Sequence, residues 1–301
     1  MKTRRIVAIA VIVVLVGAVG TVLVRKQVTS SAGGLQVVAA ENFWGNIAAQ
    51  LGGSHAHVTS IITDPSADPH LYESNAQNAA AVSRAEVVIV NGLGYDDFMS
   101  KLLAGSKNSN RQVITAQTVY GAADGANQHL WYDIPRVETM ASKITASYIA
   151  SDPAHKNDYQ HKLAAFDQSL QPLLQTISRL KQRYGGMPVA YTEPVPGYLL
   201  NDAGLSVQTP EGFAKSVEDG DDPSPADTAA MDTLMTNKSV KVLLYNAQAT
   251  SPVTEHVKDL AKQAGIPVIG VTETLPPNQK TYQSWQASQM RQLEAALAQA
   301  Q

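Results

Sequence analysis

Four residues of this chain have the type and the placement to hold a divalent cation: His70, His129, Glu193 and Glu273. Each stands in a short segment that follows a β-branched run. The segments read Asp64-Pro65-Ser66-Ala67-Asp68-Pro69-His70-Leu71-Tyr72-Glu73, Asn127-Gln128-His129-Leu130-Trp131, Tyr191-Thr192-Glu193-Pro194 and Val271-Thr272-Glu273-Thr274. Open parallel α/β sheets bind their ligands beyond the carboxyl ends of the strands, so these loops are where a site belongs. Two imidazole nitrogens and two carboxylates form a hard-to-borderline donor set suited to a first-row divalent metal. Such a set needs neutral histidine and ionised glutamate, so its affinity falls as pH drops through the histidine range. Spacing alone leaves other readings open. A histidine in a Pro-rich loop can be merely solvated, and a glutamate at a strand end can serve a helix N-terminus. Glu193 and Glu273 could also be the acid and base of an exported hydrolase. The remaining histidines are placed less well: His55 and His57 precede a strand, His155 and His161 fall on a long helix, and His256 falls on an amphipathic one.

The elements that must position these residues come in two sets. Strands are expected near 36–40, 58–63, 86–91 and 112–116, with helices near 43–51, 75–84 and 96–104 between them. A second set of strands falls near 188–192, 206–208, 240–246 and 267–272, with helices near 225–236, 252–264 and 282–300. Alternation of this kind indicates α/β lobes with mostly parallel sheets and crossover helices. Between the sets, Tyr159, Leu163, Phe166, Leu170, Leu173, Ile177, Leu180 and Tyr184 recur at three- and four-residue steps. That periodicity predicts one long helix opening at Pro153, capped by Asp152, crossed by Pro172 and ended by Gly185-Gly186. Unbroken, it is about 48 Å long at roughly 1.5 Å per residue, enough to join two lobes. The expected division is therefore a leader and tether over 1–34, a lobe over 35–150, the linking helix over 151–186 and a second lobe over 187–301.

Composition narrows the class of function. The 301 residues are 44% apolar and 16% charged, with a formal net charge of −3. Lys2, Arg4, Arg5, Arg25 and Lys26 lie in the first 26 residues, so the remaining body carries 18 basic against 26 acidic residues. A body that acidic is not expected to bind nucleic acid. With no cysteine in the sequence, thiolate metal sites, thiol nucleophiles, disulfides and a lipid-modified cysteine are excluded. Ile6 to Val24 are 19 uncharged, mostly aliphatic residues behind a basic Met1 to Arg5, with Ser30-Ser31-Ala32 following. This is the pattern of an export signal, and its length, close to the roughly 20 residues that cross a bilayer, suits an uncleaved anchor as well as a cleaved leader. The body is expected outside the cytoplasm.

Four motifs carry a resemblance to a known family: Ala39-Ala40-Glu41-Asn42-Phe43-Trp44-Gly45-Asn46-Ile47-Ala48 with Gly52-Gly53, Asp68-Pro69-His70-Leu71-Tyr72-Glu73, Asn91-Gly92-Leu93-Gly94-Tyr95 and His129-Leu130-Trp131-Tyr132-Asp133. Over nearly all of Leu35 to Leu297 the chain resembles the metal-specific solute-binding proteins of bacterial ABC importers, which capture manganese or zinc outside the membrane. The resemblance implies two α/β lobes joined by a rigid helix, with the metal between them. It implies His70 and His129 as the lobe-one ligands, Glu193 as the third, and Glu273 as the fourth where the family more often has Asp. Thr209 to Ala214 and Asn246-Ala247-Gln248 look like a subgroup with Glu at both lobe-two positions. Tyr120 to Gln128 lacks the His-rich insertion of many zinc-specific members. The implied function is capture of one Zn2+ or Mn2+ ion and its delivery to an ABC permease, with no chemistry, by a monomer that is expected at the outer face of the membrane or secreted into the periplasm or medium. A metallochaperone or adhesin on the same fold is the neighbouring alternative.

Overall fold

The computed structural model describes residues 34–64 and 72–300. The apolar leader, most of the tether and the Pro65–Leu71 segment with His70 lie outside the described residues. Among those described, no helix is long and apolar enough to cross a membrane.

The chain runs β1 (Leu35–Glu41), α1 (Asn42–Gly52), β2 (Ala56–Ile62), α2 (Ala76–Arg84), β3 (Val87–Val90), α3 (Phe98–Gly105), β4 (Gln112–Thr115), α4 (Ala116–Tyr120) and α5 (Ile134–Ser151). The long helix α6 (Lys156–Tyr184) follows, and then β5 (Pro188–Tyr191), α7 (Gly197–Asp202), β6 (Ser206–Val207), α8 (Glu211–Glu218) and α9 (Pro225–Thr236). The chain ends with β7 (Leu243–Asn246), α10 (Pro252–Gln263), β8 (Val268–Val271) and α11 (Tyr282–Gln299). Both sheets are wholly parallel, in the orders β2-β1-β3-β4 and β6-β5-β7-β8. This is the α/β two-lobe architecture with a long helix that the alternating pattern implies. Helices cover both faces of each sheet, which is why β1 and β3 are buried along almost their whole length and read as continuous apolar runs.

Besides the short helices α4, α7 and α8, which the sequence pattern does not announce, two local features differ from the sequence expectation. Helix α5 was not anticipated, although Ile134, Val137, Met140, Ala141, Ile144 and Tyr148 are buried at helical spacing; its small and hydroxyl residues weaken the amphipathic contrast. Nor does Asp152 cap the long helix. Pro153–His155 form a 3-10 turn, and the Asp152 carboxylate contacts His155 Nδ1 at 2.6 Å and accepts from the Tyr159 hydroxyl at 2.8 Å. Helix α6 then runs through Pro172 to Tyr184.

The largest apolar core passes from Leu35 through the inner faces of both lobes and along Phe166, Leu170, Leu173, Ile177 and Leu180 of α6 to Leu297. Two smaller clusters fill the outer sides of the sheets. Polar side chains tie the lobes as well. Asn42 donates to the Leu275 carbonyl and accepts from the Leu275 N–H, both at 2.9 Å, while Asn46 accepts from the Tyr282 N–H at 2.9 Å. Gly45 is required for this helix to reach its sheet, because a Cβ there would stand 2.0 Å from Ser60 Oγ.

Candidate metal centre

Sheet order builds the lobe-two half of the site. Strand β7 lies between β5 and β8, so the residue at its carboxyl end, Asn246, falls between Glu193, beyond β5, and Glu273, beyond β8. Its Nδ2 donates to Glu193 Oε2 at 2.9 Å and to Glu273 Oε1 at 2.5 Å. The amide cannot turn over without loss, since its Oδ1 accepts the Gln248 N–H at 3.0 Å. Gln248 in turn accepts the N–H groups of Glu273 and Thr274 at 2.8 and 3.0 Å. Asn246, Glu193 and Glu273 are all buried. Two carboxylates aimed at one place repel each other, and a shared donor makes their approach tolerable.

The lobe-one half rests on β3 and the loop after α4. Asn91, at the end of β3, accepts from Trp44 Nε1 at 3.2 Å and donates to the Gln128 carbonyl at 2.8 Å, fixing the peptide next to His129. His129 is buried, 1% exposed, against Trp131 and Tyr95, with ring centroids 5.2 and 6.0 Å away. Its Nδ1 is 2.7 Å from Asn127 Oδ1 and 3.7 Å from Glu218 Oε1. A hydrogen-bonded Nδ1 beside a carboxylate raises the basicity of the opposite nitrogen.

The halves meet across the cleft. His129 Nε2 lies 3.9 Å from Glu273 Oε2, and the Tyr95 hydroxyl donates to the same oxygen at 2.8 Å. Two donors on one first-row cation can stand no more than about 4.2 Å apart, twice the usual bond length, so this nitrogen and this oxygen are within reach of one ion. Among the described residues, no three His, Asp or Glu side chains form a metal-holding group by themselves. His129, Glu193 and Glu273 are thus brought to one cleft, with Asn246 between the two carboxylates, while His70 lies outside the described residues. Tyr72, from the same motif as His70, packs on Phe98 at 4.9 Å and accepts from Asn78 at 2.8 Å, anchoring the end of that segment.

Behind Tyr95 is a second acidic pair. Glu41, fully buried at the end of β1, faces Asp96, whose carboxylate accepts the N–H groups of Asn91 and Gly92 at 2.6 and 2.9 Å. Two carboxyl groups make a hydrogen bond only when one holds a proton. Burial first, then the Asp96 charge and the hydrogen bond to Asp96, push the Glu41 carboxyl well above its usual range, and burial raises Asp96 too. Burial also pushes the Tyr95 phenol well up, followed by the charges of Glu273 and Glu41, so it remains a donor.

Sequence reasoning did not assign Tyr95, Asn127 or Asn246 a role. The signal for Asn246 was its place at the end of the strand between the two glutamate loops. Asn42 and Asn46 of the first motif turn out to join the lobes.

Residues 37–296 match the family described as zinc-uptake complex component A, periplasmic (ZnuA). The chain is 23% identical over 242 residues to the manganese-binding lipoprotein MntA of Bacillus subtilis, 77% of each chain being aligned. Among solved structures it resembles FpvC from Pseudomonas aeruginosa in complex with Mn2+ (TM-score 0.75, 21% identity, 89% of this chain and 100% of that one). It is also similar to the periplasmic zinc-binding protein TroA from Treponema pallidum (TM-score 0.73, 17% identity, 88% and 99%).

Proposed function

The chain belongs to the family of periplasmic zinc-uptake component A proteins, and from that membership we propose that it captures one divalent transition metal ion, Zn2+ or Mn2+, outside the cytoplasm and hands it to the permease of an ABC importer. It is a binding protein, not an enzyme. His70 and His129 from the first lobe and Glu193 and Glu273 from the second are the ligands, and the metal is cargo. The observation that carries this reading is the pair Glu193 and Glu273 held by one Asn246 amide, with His129 Nε2 3.9 Å from Glu273. Four protein ligands leave no open position for a reacting water, which suits transport better than catalysis.

Two histidines and two carboxylates form a harder set than three histidines, which favours Mn2+, whereas the Irving–Williams order favours Zn2+ wherever both are available. The relative from Bacillus subtilis is named for manganese and the Treponema structure for zinc. The functional division is a leader over 1–34, lobes over 35–150 and 187–301, and the link over 151–186. With no cysteine to carry a lipid, attachment of the monomer to the membrane falls to Ile6 to Val24. Release comes from a small movement of the lobe-two glutamates away from the histidines, since a helix rather than a flexible strand joins the lobes.

The test is a set of thermal melts of metal-stripped protein alone and with zinc, manganese, calcium or magnesium, beside His70→Ala. At a hundredfold excess over Kd, binding adds about 2.7 kcal/mol, raising Tm by about 4 to 5 °C for a chain of this size. A rise with zinc or manganese that is lost in the variant is expected. No rise with any metal overturns the reading.

A further inference from the structure

Asn127 stands two residues before His129, and its one side chain touches both lobes. Its Nδ2 donates to the carbonyl of Pro194, the residue after Glu193, at 2.7 Å. Its Oδ1 accepts the His129 backbone N–H at 3.0 Å and faces His129 Nδ1 at 2.7 Å. A carbonyl oxygen can only accept, so Pro194 determines which end of the amide is nitrogen. The oxygen end then faces Nδ1, which must carry the ring proton, and Nε2 becomes the coordinating atom. Nε2 is the nitrogen that looks across at Glu273. Lobe two also holds the Asn127 backbone, through a 2.8 Å bond from the Tyr198 hydroxyl to its carbonyl. Gly197 leaves room for the contact, because a Cβ there would meet Asn127 Nδ2 at 2.7 Å.

We propose that Asn127 is a positioning residue for metal capture: its amide senses the closed placement of lobe two through Pro194 and, by the same orientation, sets the His129 tautomer that can bind the ion. This rests on the metal-capture reading above. Separation of the lobes breaks the Pro194 bond, frees the amide to rotate and releases the imidazole from its one tautomer. The ligand is therefore ready when the lobes are together and less so when they part. An aspartate at 127 would still accept from His129, but it has no N–H for Pro194 and would set two acceptors against each other. The Asp variant thus separates the two functions of the residue, which the Ala variant removes together.

The experiment compares the full chain as wild type, Asn127→Asp and Asn127→Ala. The metal-free imidazole 15N spectrum reports the His129 tautomer, and stopped-flow transfer of zinc to a chelator reports release. Wild type should show protonated Nδ1. Asn127→Asp should keep that tautomer and release zinc about tenfold faster, the effect of losing one interlobe hydrogen bond. Asn127→Ala should release faster still, and should mix tautomers once Glu218→Ala also removes the carboxylate 3.7 Å from Nδ1. A wild-type tautomer in the Asn127→Ala, Glu218→Ala double variant, or wild-type release from Asn127→Asp, overturns the proposal. Circular dichroism checks folding, and Asn127→Asp carries the test if the Ala variant does not fold. Wild type that takes up no zinc or manganese would instead remove the capture reading, a result distinct from an unchanged tautomer.

Discussion

The hydroxyl of Tyr95 in the first lobe donates a 2.8 Å hydrogen bond to Glu273 Oε2 in the second. It is a buried bond to a carboxylate, joining the loop after β3 to the loop after β8. Tyr95→Phe keeps the ring packed on Trp131 and removes only the donor. Loss of a hydrogen bond to a charged buried group costs about 1.5 to 3 kcal/mol, so unfolding in urea should shift to lower concentration by that amount with an unchanged m value. An unshifted midpoint would show that Glu273 finds a substitute donor.

Asn246→Leu leaves Glu193 and Glu273 without their common donor. The metal-free variant should lose about 3 kcal/mol, in the range seen when buried charges lose a partner. Bound metal neutralises both carboxylates directly, so the melting gap between variant and parent should be wider in chelator than in zinc. Equal gaps in the two conditions would argue against a metal position between these glutamates.

Glu41 gives a pH dependence with a definite sign. Its folded pKa is raised, so above about pH 4.3 it holds its proton more firmly in the native protein than in the unfolded chain. The native state then binds the extra proton, and stability falls as pH rises from that point toward the folded value. Glu41→Gln has no proton to lose. The Tm difference between Glu41→Gln and the parent should therefore grow in favour of the variant as pH rises above about 4.3; a constant difference would place the proton elsewhere.

Asp202 behaves similarly at the end of α7, where the second lobe comes near Asp133 and Arg136 of the first. Burial first, and then the charge of Asp133, push it up to about 6 against the opposing charges of Arg136 and Lys181. Stability is lost across the window from about 3.9 in the unfolded chain to about 6 in the fold, and the loss is complete above it. Since Asp202 is only half buried, solvent screening trims the effect to about 1 kcal/mol. Asp202→Asn should gain that much at pH 7 and nothing at pH 4, measured by parallel denaturant titrations.

How much of this could be read from the sequence depended on the kind of interaction. The strands were legible because sheets covered on both faces demand unbroken apolar runs such as Val87 to Val90, and α6 because Phe166, Leu170 and Leu173 repeat at helical spacing. That His129, Glu193 and Glu273 come near one another was legible because strand ends are where parallel sheets present side chains. The amides that organise them were not. Asn127 and Asn246 act through the orientation of one side chain between partners 67 and 53 residues away, and no periodicity encodes such a pairing. The dual use of the first motif, with Asn42 and Asn46 clasping the other lobe, was hidden for the same reason.

The unbroken apolar interior from Leu35 through α6 to Leu297 bears on how the molecule comes apart. Each lobe keeps a smaller outer cluster of its own, but the largest interior is shared by both, so heat should unfold the chain as a single cooperative unit, with calorimetric and van't Hoff enthalpies in agreement. A protease nick between α6 and β5 would yield fragments that hold together, because each carries the surface that completes the other's interior.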